Sequence, residues 1–171
     1  MSDRSSDRPT GLDALLEHAE KHAASFDAAG LPATPTRGIA VVTCMDARID
    51  PAALLGLAPG DAHVIRNAGG VVGDGELRSL AVSQRLLGTT EVAVILHTDC
   101  GMRTFTDADF RDELEAEVGT RPTWAPVVFG AVEDDVRSAV RRVLDDPFIP
   151  HKKVVRGFVY DVRSGRLTEV A

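Results

Sequence analysis

Apolar residues along this chain change their spacing several times, and each change marks an element. From Leu12 to about Ala28, residues Leu12, Leu15, Leu16, Ala19, Ala23 and Phe26 recur at helical spacing, and Gly30 with Pro32 closes the pattern. Pro32-Ala33-Thr34-Pro35-Thr36 reads as a linker. Ile39–Thr43 is a short apolar, β-branched run, as expected of a strand buried on both faces, and Ala62–Arg66 and Glu91–Leu96 read as a second and a third strand. Between the second and third, Glu76 to Leu87 carries Leu77, Leu80, Ala81, Gln84 and Leu87 on one helical face, with Gly88 as the stop. Val128, Val132, Val136, Ala139, Val140 and Val143 mark a further amphipathic helix, closed by Asp146-Pro147. Val154–Val162 reads as a fourth strand, and Leu167–Val170 as an antiparallel return after the Ser164-Gly165 turn.

Strands alternating with helices predict an α/β fold. Its mainly parallel central sheet has about four strands plus an antiparallel edge strand, is flanked by helices, and is preceded by an N-terminal helical arm. The expected division is a polar, disordered tail over residues 1–10, the arm and linker over 11–36, and an α/β catalytic domain over 37–171. In such sheets the site forms beyond the carboxyl ends of the strands. That rule sends three segments to one edge: Cys44 after the first strand, Asn67-Ala68-Gly69-Gly70 after the second, and His97 with Cys100 after the third.

Composition narrows the picture. The 171 residues suit one main domain, and no apolar run reaches the roughly 20 residues that span a bilayer. The start, Met1 to Pro9, has no apolar signal core, so a cytoplasmic location with reduced thiols is expected. A formal net charge of -7 argues against a nucleic-acid or anionic-membrane partner.

The chain has two cysteines, Cys44 and Cys100. With His97 they make a soft donor set that favours zinc, and three protein ligands leave one tetrahedral position for water. Either cysteine alone could equally be a small buried hydrophobe. Asp46 and Arg48 alternate in an extended segment, so both side chains can fall on one side as an ion pair. Such a pair is either a loop brace or a device that holds a carboxylate beside metal-bound water. The acidic run Asp107 to Glu117, interleaved with Phe110, Leu114 and Val118, reads as a solvated helix face. Trp124, between Pro122 and Pro126, reads as a loop anchor. His18, His22 and His151 lack partners that would recruit them as ligands, and no phosphate-loop pattern accompanies Gly69-Gly70.

Cys44-Met45-Asp46-Ala47-Arg48, Val64-Ile65-Arg66-Asn67-Ala68-Gly69-Gly70, Ser79-Leu80 and His97-Thr98-Asp99-Cys100-Gly101 stand in one order over about residues 37–102. In this the chain resembles the β-class carbonic anhydrases, in particular their small prokaryotic branch. The resemblance implies a zinc lyase that hydrates carbon dioxide reversibly to bicarbonate and a proton through zinc-bound hydroxide. Zinc would be held by Cys44, His97 and Cys100, with Asp46 and Arg48 as the dyad beside it. Gly101 matches a position whose backbone lies against the substrate pocket. His63 stands where several relatives carry an aromatic pocket residue, and Ala68 where some carry valine. For His63 the alternative is a strand histidine bonded to its neighbourhood.

The resemblance also implies a homodimer or dimer of dimers, with the N-terminal helix embracing the partner. In some members the aspartate matching Asp46 closes the site as a fourth ligand, and the open form needs the Asp46–Arg48 pair. Two other activities share these residues: hydrolysis of carbon disulfide or a related heterocumulene, and a non-catalytic zinc-binding role with Asp46 permanently on the metal.

Overall fold

The computed structural model describes residues 10–124 and 130–171. The expected tail over residues 1–10 lies outside them except for Thr10, as do Pro126 and Val128. The chain divides into two compact units, residues up to Leu31 and Pro32–Ala171. In the first, helix α1 spans Gly11–Ala24. The Thr10 hydroxyl accepts from the Asp13 amide while the Asp13 carboxylate accepts from the Thr10 amide, a reciprocal cap that satisfies two orphan donors. The helix stops at Ser25, short of the expected Ala28, and none of its residues is buried.

The second unit is built on five strands: β1 (Ile39–Cys44), β2 (Ala62–Asn67), β3 (Glu91–His97), β4 (Val154–Tyr160) and β5 (Leu167–Glu169). They lie in the order β2-β1-β3-β4-β5, with the first four parallel and β5 antiparallel to β4. Helices α2 (Pro51–Leu55), α3 (Asp74–Leu86), α4 (Asp107–Val118) and α5 (Val132–Asp145) fill the connections. This is the mixed α/β architecture expected, with small shifts at the element ends. β4 stops at Tyr160 because Asp161 turns its amide to the Arg166 carbonyl across the hairpin. Helix α2 was not anticipated, although its signals are local. The Asp50 carboxylate accepts from the amides of Ala52 and Ala53, Pro51 opens the helix, and Gly56 closes it. At five residues it is too short for any periodicity to show.

Even-numbered residues of β1 and β3 (Ala40, Val42, Val92, Val94 and Leu96) face α3 and α5, where they meet Leu80, Val136, Ala139, Val140 and Val143. Each Val or Leu among them contributes about 1.5–3 kcal/mol on full burial, so this layer sets the sheet's position. Helix α5 lies close over β4 because Gly157 has no side chain. A Cβ there would overlap Val136 and stand 2.9 Å from Cγ2 of Val140. Helix α4 carries the acidic run and buries none of its residues; Phe110 and Leu114 are half-buried and Val118 is exposed. Trp124 packs against Phe110 with ring centroids 6.3 Å apart. Among the described residues no helix is long and apolar enough to cross a membrane.

Candidate metal centre

Parallel register brings the site together. Cys44 pairs with Asn67 at the ends of β1 and β2, and β3 runs beside β1 to finish at His97. One turn later comes Cys100. The Sγ atoms of Cys44 and Cys100 and a ring nitrogen of His97 all lie within 4.8 Å of one another, and all three residues are buried.

The His97 ring is oriented by its own backbone. Nδ1 is 2.9 Å from the Thr98 carbonyl oxygen, which can only accept, so Nδ1 carries the proton and Nε2 keeps a lone pair. Nε2 is buried and has no hydrogen-bond partner among the described residues. An orphaned acceptor beside two thiols would be costly unless something occupies the space between them. A borderline cation fits this donor set, so the three residues suit a metal ion. Burial lowers the His97 pKa, which keeps the imidazole neutral and ready to ligate. Burial also pushes the Cys100 thiol up, and nearby Cys44 adds to the rise, so a cation must displace the proton to bind.

Arg48 donates from Nε to Asp46 Oδ1 (2.9 Å) and from Nη2 to Asp46 Oδ2 (2.7 Å). The expected pair is therefore made, and made bidentate. These bonds from Arg48 hold the Asp46 carboxyl well below the usual carboxylate range. Asp46 Oδ2 stands 3.9 Å from Nε2 of the neutral His97, beside the donor group.

The backbone around the cysteines is clamped by Arg66, Gly69 and Gly70. Arg66 donates from Nε to the Cys44 carbonyl (3.0 Å) and from Nη2 to the Asp46 carbonyl (2.8 Å). The Gly69 amide points at Cys44 Sγ from 3.3 Å. Gly70, at φ 69°, lies so close that a Cβ would stand 2.9 Å from the Cys44 amide nitrogen. The Gly69-Gly70 pair was visible in the chain, but only the fold shows that it serves a close backbone approach. Thr98 is fixed from β4: its amide donates to the Tyr160 carbonyl (2.9 Å), and its hydroxyl to the Asp161 carboxylate (3.2 Å).

The expected pocket residues separate. Ala68 is half-buried in the turn beside Gly69. Gly101 is exposed, with nothing within 4 Å of where a side chain would stand. Within the single chain His63 is not brought to this group. It pairs with Ala40, four residues before Cys44, and strand rise alone separates the two levels by about 13 Å. Its Nδ1 is 2.8 Å from the Ser83 hydroxyl and its Nε2 3.3 Å from the Ala33 carbonyl, so the ring is bonded to its own surroundings.

Residues 39–124 match the family model described as carbonic anhydrase. The chain is 49% identical over 161 residues to Beta-carbonic anhydrase 1 of Mycobacterium tuberculosis, covering 94% of this chain and 98% of that protein. The carbonic anhydrase of Streptococcus mutans superposes with a TM-score of 0.89 at 38% identity, covering 96% and 99% of the two chains. A carbon disulfide hydrolase from an Acidianus strain is 31% identical over 91% of this chain and 87% of its own length. The chain belongs to the β-carbonic anhydrase family.

Proposed function

We propose that this protein catalyses the reversible hydration of carbon dioxide to bicarbonate and a proton, with zinc held by Sγ of Cys44, Nε2 of His97 and Sγ of Cys100. The observation that carries the reading is the buried His97 Nε2, without a hydrogen-bond partner among the described residues and set between two thiols. Zinc, when bound there, supplies the Lewis acid that lets water lose a proton near neutral pH. The Asp46 carboxylate, fixed by Arg48, then serves as a hydrogen-bond acceptor that orients the attacking oxygen. Its depressed pKa makes it an orienter and not a proton store, so the released proton passes to buffer or surface groups. In this reading Gly101, with nothing within 4 Å of where a side chain would stand, and the small Ala68 belong to the pocket for a substrate of three atoms.

Hydrolysis of carbon disulfide is the second reading, because the same donor set would activate water against either linear electrophile, and a relative at 31% identity carries that name. The closer likeness, 49% over nearly the whole chain, favours carbon dioxide. A non-catalytic role finds less support, since Asp46 is engaged by Arg48 and does not lie among the three donor atoms. We further propose a homodimer or dimer of dimers, because α1 leaves Leu12, Leu15 and Leu16 exposed in the single chain. A cytoplasmic setting would keep both free thiols reduced. The deciding experiment is stopped-flow hydration of carbon dioxide from about pH 6.5 to 9, with carbon disulfide in parallel, on protein of measured zinc content. Zinc-loaded protein that hydrates no carbon dioxide would sink the reading.

A further inference from the structure

Asp99 sits between the ligands His97 and Cys100 and is, among the described residues, the one non-glycine with a positive φ, 55°. Asparagine and aspartate enter this left-handed region more readily than other side chains, and here the twist wraps the turn so that both ligands face one point. The same twist presents two acceptors to Arg48. The Asp99 carbonyl oxygen accepts from Arg48 Nη2 at 2.7 Å, and Asp99 Oδ2 accepts from Arg48 Nη1 at 3.2 Å. The adjacent edge of that guanidinium, Nε with the shared Nη2, holds Asp46. Arg48 therefore spans two pieces of chain, each carrying metal ligands, that are about 50 residues apart in sequence. Arg163 Nη2 also approaches Asp99 Oδ2, at 3.9 Å, but from a freely exposed side chain.

We propose that Asp99 is a positioning residue of the metal centre: acting through Arg48, it ties the Cys44 loop to the His97–Cys100 turn and slows escape of the metal. The inference rests on the metal-centre reading above. A ligand set from two loops opens when the loops part, and one planar fork bonded to both resists that motion. The Asp99 carboxylate also restricts rotation of the fork, so that its other edge stays on Asp46. Exposure of Asp99 keeps the effect at the low end of what partners of metal ligands contribute, about tenfold.

The test uses zinc-loaded full-length protein and follows release of zinc to an excess of chromogenic chelator. Asp99→Asn and Asp99→Gly both tolerate the positive φ and keep the backbone acceptor, so they remove the carboxylate alone. Both are expected to release zinc about tenfold faster than wild type. In an Arg48→Ala background, Asp99→Asn is expected to add nothing, because the pathway is already gone. A merely structural role for Asp99 would act equally in both backgrounds. Release at the wild-type rate in either variant, or equal acceleration with and without Arg48, overturns the proposal. Wild-type protein that takes up no zinc would instead remove the metal-centre reading, and this inference with it.

Discussion

Nδ1 of His97 lies 2.9 Å from the carbonyl oxygen of Thr98, one residue further along the chain. That single contact decides which ring nitrogen can ligate, because a carbonyl accepts and never donates. It also makes the ligand's orientation a property of Thr98, which is tied in turn to the Tyr160 carbonyl and the Asp161 carboxylate. The imidazole at the end of β3 is thus held from the far end of the chain.

The Asp161 carboxyl is lowered from its ordinary value, chiefly by the Ser164 hydroxyl and then by the Arg163 amide, with Thr98 also donating. A depressed folded pKa stabilises the native state above the unfolded value and loses that contribution as pH falls through the folded value. Asp161→Asn should therefore melt below wild type at neutral pH, and the gap should narrow in acid. Melting curves at pH 7 and near pH 3 check this, and a gap that widens in acid would contradict it.

Cys44→Ser replaces a thiolate with a hydroxyl, a far poorer zinc ligand. Zinc content and hydration rate are expected to fall together, while the strands, whose core does not depend on the sulfur, stay folded. Elemental analysis beside circular dichroism measures both.

Arg48→Ala frees Asp46 from its bidentate partner. Zinc content at rest should stay near one per chain, and the hydration rate should drop by about 10- to 100-fold. A fully active, zinc-loaded variant would contradict the dyad.

Gly70→Ala places a methyl group against the Cys44 backbone, at a φ of 69° that alanine resists. Unfolding in denaturant should show a loss of about 1–3 kcal/mol, accompanied by weaker metal retention. An unchanged midpoint would mean that the turn yields more easily than its packing implies.

Leu15→Asp combined with Leu16→Asp puts charge on the exposed apolar side of α1. If that side meets a second copy, light scattering after size exclusion should shift from dimer to monomer mass. A variant that keeps the wild-type mass would place the interface elsewhere.

Much of this was legible along the chain, because the residues concerned act through local rules. The run at 39–43 reads as a buried strand and those at 62–66 and 91–96 as two more, while Gly69-Gly70 after the second is visible without the close approach it serves. The Cys44, Asp46, Arg48 and His97, Cys100 spacings already named the donor set and its carboxylate. His63 shows the limit. Its place in the motif suggested a pocket position, but only strand register shows that it lies level with Ala40 and that its ring is bonded to Ser83 and Ala33.

The sequence by itself determined the parallel sheet, the residues able to hold a metal and the strand ends from which they project, since periodicity and side-chain chemistry are properties of neighbours along the chain. Tertiary structure alone decided that Arg48 reaches Asp99 as well as Asp46, that Arg66 clamps the carbonyls of Cys44 and Asp46, and that Asp161 steadies Thr98. Those contacts join segments roughly 20 to 60 residues apart in sequence. No local rule encodes such a distance; it is set when the hydrophobic faces of the strands and helices settle into one register.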